Sequence, residues 1–151
     1  MGNDTHMIDI GNKDNTKRQA RAMAFVRLDK NIIAKIKSEK MPKGNVLETA
    51  RIAGIMGAKK TAELIPLCHT IGLEYVGVDF EFGEEWIRVE SMVNAEGKTG
   101  VEMEALIACA TAALTIYEMC KMYSHNIEIE KICLLEKSGG KSGEYKRKKN
   151  P

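Results

Sequence analysis

Three glycine-bearing loops of this chain carry lysines. Lys43 precedes Gly44, Lys98 precedes Thr99 and Gly100, and Lys137 and Lys141 flank Gly139 and Gly140. Arg18 adds a cation near the N-terminus. Cations on separate loops that converge in the fold make an anion site suited to phosphates. The stretch LLEKSGGKSGEY, Leu134 to Tyr145, also invites comparison with a nucleotide-binding P-loop, G-x-x-x-x-G-K-[ST], whose backbone N–H groups wrap phosphates ahead of a helix. Gly140, Lys141 and Ser142 supply its second half, but Leu135 stands where the first glycine belongs, and no apolar periodicity follows to build the helix. The P-loop reading is excluded. Glycines that let lysines reach an anion, and a disordered C-terminal tail, both remain open.

Cys68 and His69 stand together after Pro66. A metal site needs three or four ligands, and His6 and His125 sit in terminal and turn contexts. A cysteine nucleophile wants its base held across the fold, which an adjacent histidine does not readily provide. A satisfied structural histidine and a loop that binds a polar ligand are left. Glu102 and Glu104 fall in the first turn of a long helix, where carboxylates suit the positive helix end with or without a ligand. Glu118 and Lys121 are an i, i+3 pair near its other end, by itself an ordinary surface ion pair. Fourteen residues of helix separate Glu104 from Glu118, roughly 21 Å at 1.5 Å per residue. A small ligand reaches both only if it is long, or if sites are shared between subunits.

The elements that must hold these groups are legible in the pattern. Alternation predicts strands over 22–28, 73–82, 86–93 and 127–135, and 83–85 reads as a hairpin turn. Asp29 can cap a helix running through Ile32, Ile33 and Ile36. Met41 to Gly44 is a loop, followed by an alanine-rich helix over 46–64 with Ile52, Ala53, Met56 and Lys60 on one face. Pro66 stops it. Residues 94–100 read as a loop, and the longest helix runs over 101–122. This order implies an α+β sandwich, an antiparallel or mixed sheet with the helices packed on one face. Helices so rich in small residues favour close packing.

A length of 151 residues suits one domain with a sizeable core. The expected division is one domain over 1–143, with 1–6 flexible, and a basic, disordered tail over 144–151. The formal net charge is +2, and the four basic residues Lys146, Arg147, Lys148 and Lys149 exceed it, leaving the remainder negative. A near-neutral body without aromatic interleaving argues against nucleic acid as a partner. No apolar run is read as approaching the ~20 residues of a membrane span. The Met-Gly start is not read as a myristoylation signal, because His6 stands where Ser or Thr is required. Cys68, Cys109, Cys120 and Cys133 form no C-x-x-C pair, which suits reduced thiols in the cytoplasm.

Four blocks together carry a resemblance: ARIAGIMGAKKTAELIPLCH (Ala50 to His69), KTGVEMEAL (Lys98 to Leu106), LTIYEMCK (Leu114 to Lys121) and LLEKSGGKSG (Leu134 to Gly143). In order and spacing they resemble the cyclic pyranopterin monophosphate synthases, protein C of molybdenum-cofactor biosynthesis, over essentially Met7 to Gly143. The resemblance implies a ferredoxin-like fold in a homohexamer, a trimer of dimers with active sites at the dimer interface. It implies a lyase that converts 3′,8-cyclo-7,8-dihydroguanosine 5′-triphosphate into cyclic pyranopterin monophosphate and pyrophosphate. It places Lys43, Lys121 and Glu118 in catalysis, and Leu67, Cys68, His69, Glu102, Met103 and Glu104 at the ligand. It gives Arg18, Lys137 and Lys141 the task of holding the triphosphate. No cofactor is implied beyond Mg²⁺ that could accompany the triphosphate, and no carboxylate cluster suggests a dedicated metal cage.

A lysine at its free pKa of about 10.4 is a poor base at neutral pH; crowding by other cations, or burial, would lower it, and a cluster of lysines supplies the first. Three positions depart from the family pattern. Glu118 replaces an aspartate, Asn45 follows Lys43-Gly44 where aspartate is usual, and Thr70 follows His69 where proline is usual. The rival reading is a non-catalytic nucleotide- or pterin-binding paralogue in which Glu118 marks lost chemistry.

Overall fold

The computed structural model describes residues 2–148; Met1 of the Met-Gly start and Lys149 of the basic tail lie outside them. The chain runs β1 (Thr16–Arg27), α1 (Lys30–Lys37), α2 (Val46–Lys59), α3 (Thr61–Leu64), β2 (Leu73–Phe82), β3 (Trp86–Gly97), α4 (Glu102–Cys120), β4 (Glu128–Ser138) and β5 (Tyr145–Lys146). The sheet is antiparallel throughout, in the order β2-β3-β1-β4-β5. Removing the short β5 edge leaves the ferredoxin-like α+β arrangement, with β1 and β3 central. Alternation explains the sheet's buried face. Ala20, Ala22, Ala24 and Val26 of β1 and Ile87, Val89, Val93 and Ala95 of β3 point to one side and are buried beneath the helices. The β2–β3 hairpin closes where the Gly83 N–H donates to the Trp86 carbonyl at 2.8 Å.

Helix α4 lies over β1, β3 and β4, and α2 lies beside it and over β2. Their approach is close because the facing residues are small. A Cβ on Gly54 would meet the Ala108 carbonyl oxygen at 2.8 Å, and one on Gly57 would meet Thr111 Oγ1 at 2.7 Å. This packing decides which face of α2 is buried. Ile52 is 61 % exposed and Met56 is also exposed, while Val46, Ala50, Gly54, Gly57 and Ala58 are buried. Periodicity found an apolar stripe, but the seam with α4 selects for size, not hydrophobicity. Leu114 on α4 is exposed as well, so the pair turns an apolar surface outward.

Other boundaries shift. The strands reach further than alternation suggests, β1 back to Thr16, β3 on to Gly97 and β4 on to Ser138. The loop expected from Asn94 begins only after Gly97. Helix α2 ends at Lys59, and a separate turn, α3, precedes Pro66. Asp29 occupies the α1 N-cap position without a side-chain capping bond, whereas Asn45 Oδ1 accepts from the Glu48 N–H at 3.0 Å and caps α2. The reading that no apolar stretch reaches membrane-spanning length needs correction in α4, whose 19 residues are long and apolar enough by length and composition. Half of that stretch is buried within this fold, as befits a core helix.

Two irregularities in β4 bear on the site. Its pairing with β1 shifts register between Arg21 and Ala22, leaving Leu135 as an extra residue, and again between Met23 and Phe25, near Lys131 with φ +58°. Leu134 packs on the helix-facing core. Strict alternation would then send Lys137 to the opposite face. The extra residue reverses the phase, so Lys137 pairs with the inward-facing Ala20 and shares the helix side of the sheet with Arg18. The tail begins in order: Tyr145–Lys146 pairs with β4, and the Arg147 N–H donates to the Leu135 carbonyl at 2.7 Å.

Candidate active site

Helix α2 runs antiparallel to α4, so the loop before it meets one end of α4 and the loop after it meets the other. At the C-terminal end, Gly44 (φ +103°) turns the Met41–Gly44 loop, and Lys43 reaches across to α4. Its Nζ donates to Glu118 Oε1 at 2.9 Å and to the Glu118 carbonyl at 3.2 Å. Glu118 Oε2 takes Lys121 Nζ at 2.7 Å. One carboxylate thus holds two ammonium groups, one on each oxygen. The bond from Lys121, then that from Lys43, pulls the Glu118 carboxyl down to about 2. The same bond raises Lys121 above the ordinary lysine value. The expectation that crowding lysines lower one another is corrected for Lys121 in this chain, because its hydrogen bond to Glu118, and then the charge of that carboxylate, favour the ammonium form. All three side chains are exposed, so the ion pairs add little stability and serve to set positions.

At the N-terminal end of α4 lies a cavity of about 280 Å³ lined by Leu67, Cys68, His69, Glu102, Met103 and Glu104, together with Ile8, Ile10, Lys13, Thr99 and Gly100. His69 Nε2 donates to the Ile8 carbonyl at 2.6 Å, so that nitrogen carries a proton. Glu104 is 5 % exposed, and burial, then its neighbour Glu102, raises its pKa. Burial first, then Glu104 and Glu102, raises the Cys68 thiol. A thiol so placed is a poor nucleophile at neutral pH and a serviceable hydrogen-bonding wall. Among the described residues no group of three His, Cys, Asp or Glu side chains is placed to hold a metal ion.

Beside this cavity the ends of β1, β3 and β4 bring cations together. Arg18 is 8 % exposed, and its Nε donates to the Gly97 carbonyl at 3.3 Å. Lys137 Nζ stands 4.0 Å from Glu102 Oε1 at the start of α4. Lys141 is exposed on the turn beyond Gly140 and makes no hydrogen bond or ion pair among the described residues. Lys98, grouped with these cations in the sequence, donates instead to the Gly11 carbonyl at 3.4 Å and ties down the N-terminal segment.

Residues 7–140 match the family model described as the MoaC family. The chain belongs to the MoaC family. It is 46 % identical over 141 residues to a cyclic pyranopterin monophosphate synthase of Peptoclostridium acidaminophilum, covering 93 % of this chain and 90 % of that protein. It is 53 % identical over 141 residues to a cyclic pyranopterin monophosphate synthase of Desulfatibacillum aliphaticivorans, covering 92 % and 89 %. The family resemblance carried by the four sequence blocks is therefore established across most of the chain.

Against the MoaC-family site residues read from the sequence, the fold brings Lys43, Glu118 and Lys121 into one cluster. It brings Leu67, Cys68, His69, Glu102, Met103 and Glu104 into one cavity, and Arg18 and Lys137 to that cavity's flank. The two groups occupy opposite ends of an unbroken α4, so the roughly 21 Å between Glu104 and Glu118 stands within one chain. Sequence reasoning missed Lys13 and the segment around it, which lines the cavity although it belongs to no helix or strand. A signal was present: Lys13 follows Gly11 by two residues, the same lysine-beside-glycine pattern that singled out Lys43 and Lys98.

Proposed function

We propose that this enzyme is a lyase of molybdenum-cofactor biosynthesis that converts 3′,8-cyclo-7,8-dihydroguanosine 5′-triphosphate into cyclic pyranopterin monophosphate and pyrophosphate. The observation that carries the reading is the meeting of Lys43, Glu118 and Lys121, on a chain that shares half its residues with named synthases. Opening the guanine ring requires protons to be delivered and removed, and closing the cyclic phosphate requires a deprotonated hydroxyl and a neutralised pyrophosphate leaving group. Lys43 and Lys121 are the acid–base residues, and Glu118 orients both. Held by Glu118, Lys121 is an ammonium and enters the reaction as a proton donor.

Leu67, Cys68, His69, Glu102, Met103 and Glu104 receive the pterin-forming part of the ligand. Arg18, Lys137 and Lys141 hold the triphosphate, with Mg²⁺ as its only candidate companion and no other cofactor. Because one chain keeps its two clusters some 21 Å apart, a complete site takes one cluster from each of two subunits at a dimer interface. The assembly is a homohexamer, a trimer of dimers, and the exposed Ile52, Met56 and Leu114 are the apolar surface that such an assembly covers. The protein works in the cytoplasm, without nucleic acid or membrane as partner. The deciding experiment incubates purified protein with the cyclised triphosphate and measures pyrophosphate release and oxidisable pterin. Absence of both products rules the activity out.

A further inference from the structure

The two glycines of the β4 end, Gly139 (φ +97°) and Gly140 (φ +78°), both adopt left-handed backbone conformations. They do so against Arg18. A Cβ on Gly139 would overlap the Lys17 carbonyl oxygen, and a Cβ on Gly140 would overlap Arg18 Nη1 and crowd its Cζ at 2.7 Å. Gly143 has a similar φ of +71° but nothing within 4 Å of an added Cβ. Conformational need alone therefore does not distinguish Gly140 from Gly143; the guanidinium lying against its backbone does.

Arg18 itself is unusual. It is a 92 %-buried cation with no carboxylate within ion-pairing distance among the described residues, and the Gly97 carbonyl uses only its Nε. Buried charge without a counter-charge is costly and persists where a ligand supplies the partner. Its terminal nitrogens have no protein acceptor, yet they are not among the atoms sealed from solvent without one. Both are reached by solvent and lie in the flat guanidinium plane, the geometry suited to phosphate oxygens.

We propose that Gly140 is a positioning residue for the reaction: with the Gly97 carbonyl it forms a side-chain-free seat that fixes the Arg18 guanidinium, leaving both terminal nitrogens to grip the pyrophosphate that leaves. The glycines of this loop shape a socket for an arginine 122 positions earlier in the chain, whatever reach they also give to lysines. The inference rests on the reading that Arg18 holds the triphosphate, and the test separates the two.

Inorganic pyrophosphate binding is measured by calorimetry on the full-length protein, with KM and kcat for the cyclised triphosphate alongside, in Gly140→Ala, Gly143→Ala, Arg18→Ala and the Gly140→Ala/Arg18→Ala double variant. Gly140→Ala should weaken pyrophosphate roughly tenfold or more, the scale of one hydrogen bond to a charged group, and raise KM more than it lowers kcat. Gly143→Ala, carrying the same backbone strain without the clash, should bind as the parent does. The double variant should bind no worse than Arg18→Ala alone, the non-additivity expected when one residue acts through the other. Arg18→Lys, which keeps charge but not the flat guanidinium, should lose nearly as much as Arg18→Ala, and it reads the seat even if Gly140→Ala fails to fold. Equal losses in Gly140→Ala and Gly143→Ala, additive losses in the double variant, or full rescue by Arg18→Lys overturn the seat. An unchanged affinity in Arg18→Ala overturns the role of Arg18 itself, and the seat with it.

Discussion

Lys43 and Glu118, 75 residues apart in the chain, meet at 2.9 Å. The contact exists because α2 and α4 pack antiparallel on small residues, bringing the loop before α2 to the last turns of α4. Lys121, at the C-cap just beyond α4, takes the other carboxylate oxygen at 2.7 Å. Glu118→Gln keeps the size and removes the charge that raises Lys121. With Lys121 as a proton donor, the alkaline limb of kcat/KM against pH should move to lower pH in this variant, and kcat at neutral pH should fall by roughly a hundredfold, within the range of general acid–base catalysis. Glu118→Asp should stay within about tenfold of the parent, because the carboxylate survives at a cost near one tenfold step. A rate increase on shortening the arm would instead mark Glu118 as a degraded position.

Lys137 and Lys141 flank the same glycines but are not equivalent. The bulge at Leu135 turns Lys137 toward Glu102, whereas Lys141 is exposed. Lys137→Ala should raise KM about tenfold, the weight of one charge-assisted contact, and Lys141→Ala at most a few-fold. Comparable effects from the two would mean that the loop rearranges around the ligand.

Glu104 should reveal its burial in the ligand-free protein. Its folded pKa lies above its ordinary 4.5, burial being the main cause. A carboxyl shifted upward gives stability that is fully present below about pH 4.5 and lost as pH rises through the folded value. Glu104→Gln removes that loss. Thermal melts of parent and variant should nearly coincide below pH 4.5 and separate in favour of the variant toward neutrality, while the variant binds ligand less well. Melting curves offset equally at every pH would contradict the assignment.

The α2–α4 seam allows no extra atom at Gly54, where an added Cβ meets the Ala108 carbonyl at 2.8 Å, Val78 Cγ2 at 3.0 Å and Ala112 Cβ at 3.3 Å. A backbone oxygen cannot swing aside. Gly54→Ala should cost about 1–3 kcal/mol, the range for overpacking, despite the better helix propensity of alanine. Denaturant unfolding measures it, and a stability gain would show that the seam has slack.

Ile52 is exposed on the outer face of α2. If that face lies in an assembly, Ile52→Lys should shift the protein to smaller species in analytical ultracentrifugation while the far-ultraviolet circular dichroism stays unchanged. An unaltered sedimentation profile would remove this face from any interface.

The sequence by itself determined the order of the main elements (though not the short α3 and β5), the loops at Met41–Gly44 and Gly83–Glu85, the two faces of the sheet and the family. These follow from local causes: alternation on strands, glycine and proline at turns, and motifs whose order survives in one dimension. The residues of the candidate site were named through those same motifs. The tertiary structure decided the rest. It made α2 bury its glycines and expose Ile52 and Met56, since helix–helix distance is set by the partner's surface. One extra residue at Leu135 turned Lys137 to the helix side, a phase shift that an alternating pattern cannot reveal. Lys13 entered the cavity on a segment without regular structure, and Arg18 came to rest against Gly140. By spacing alone Glu118 was a surface ion pair with Lys121, and the resemblance set Lys43 beside them in role; the fold supplied the contact, because only packing brings residues 75 apart within a hydrogen bond.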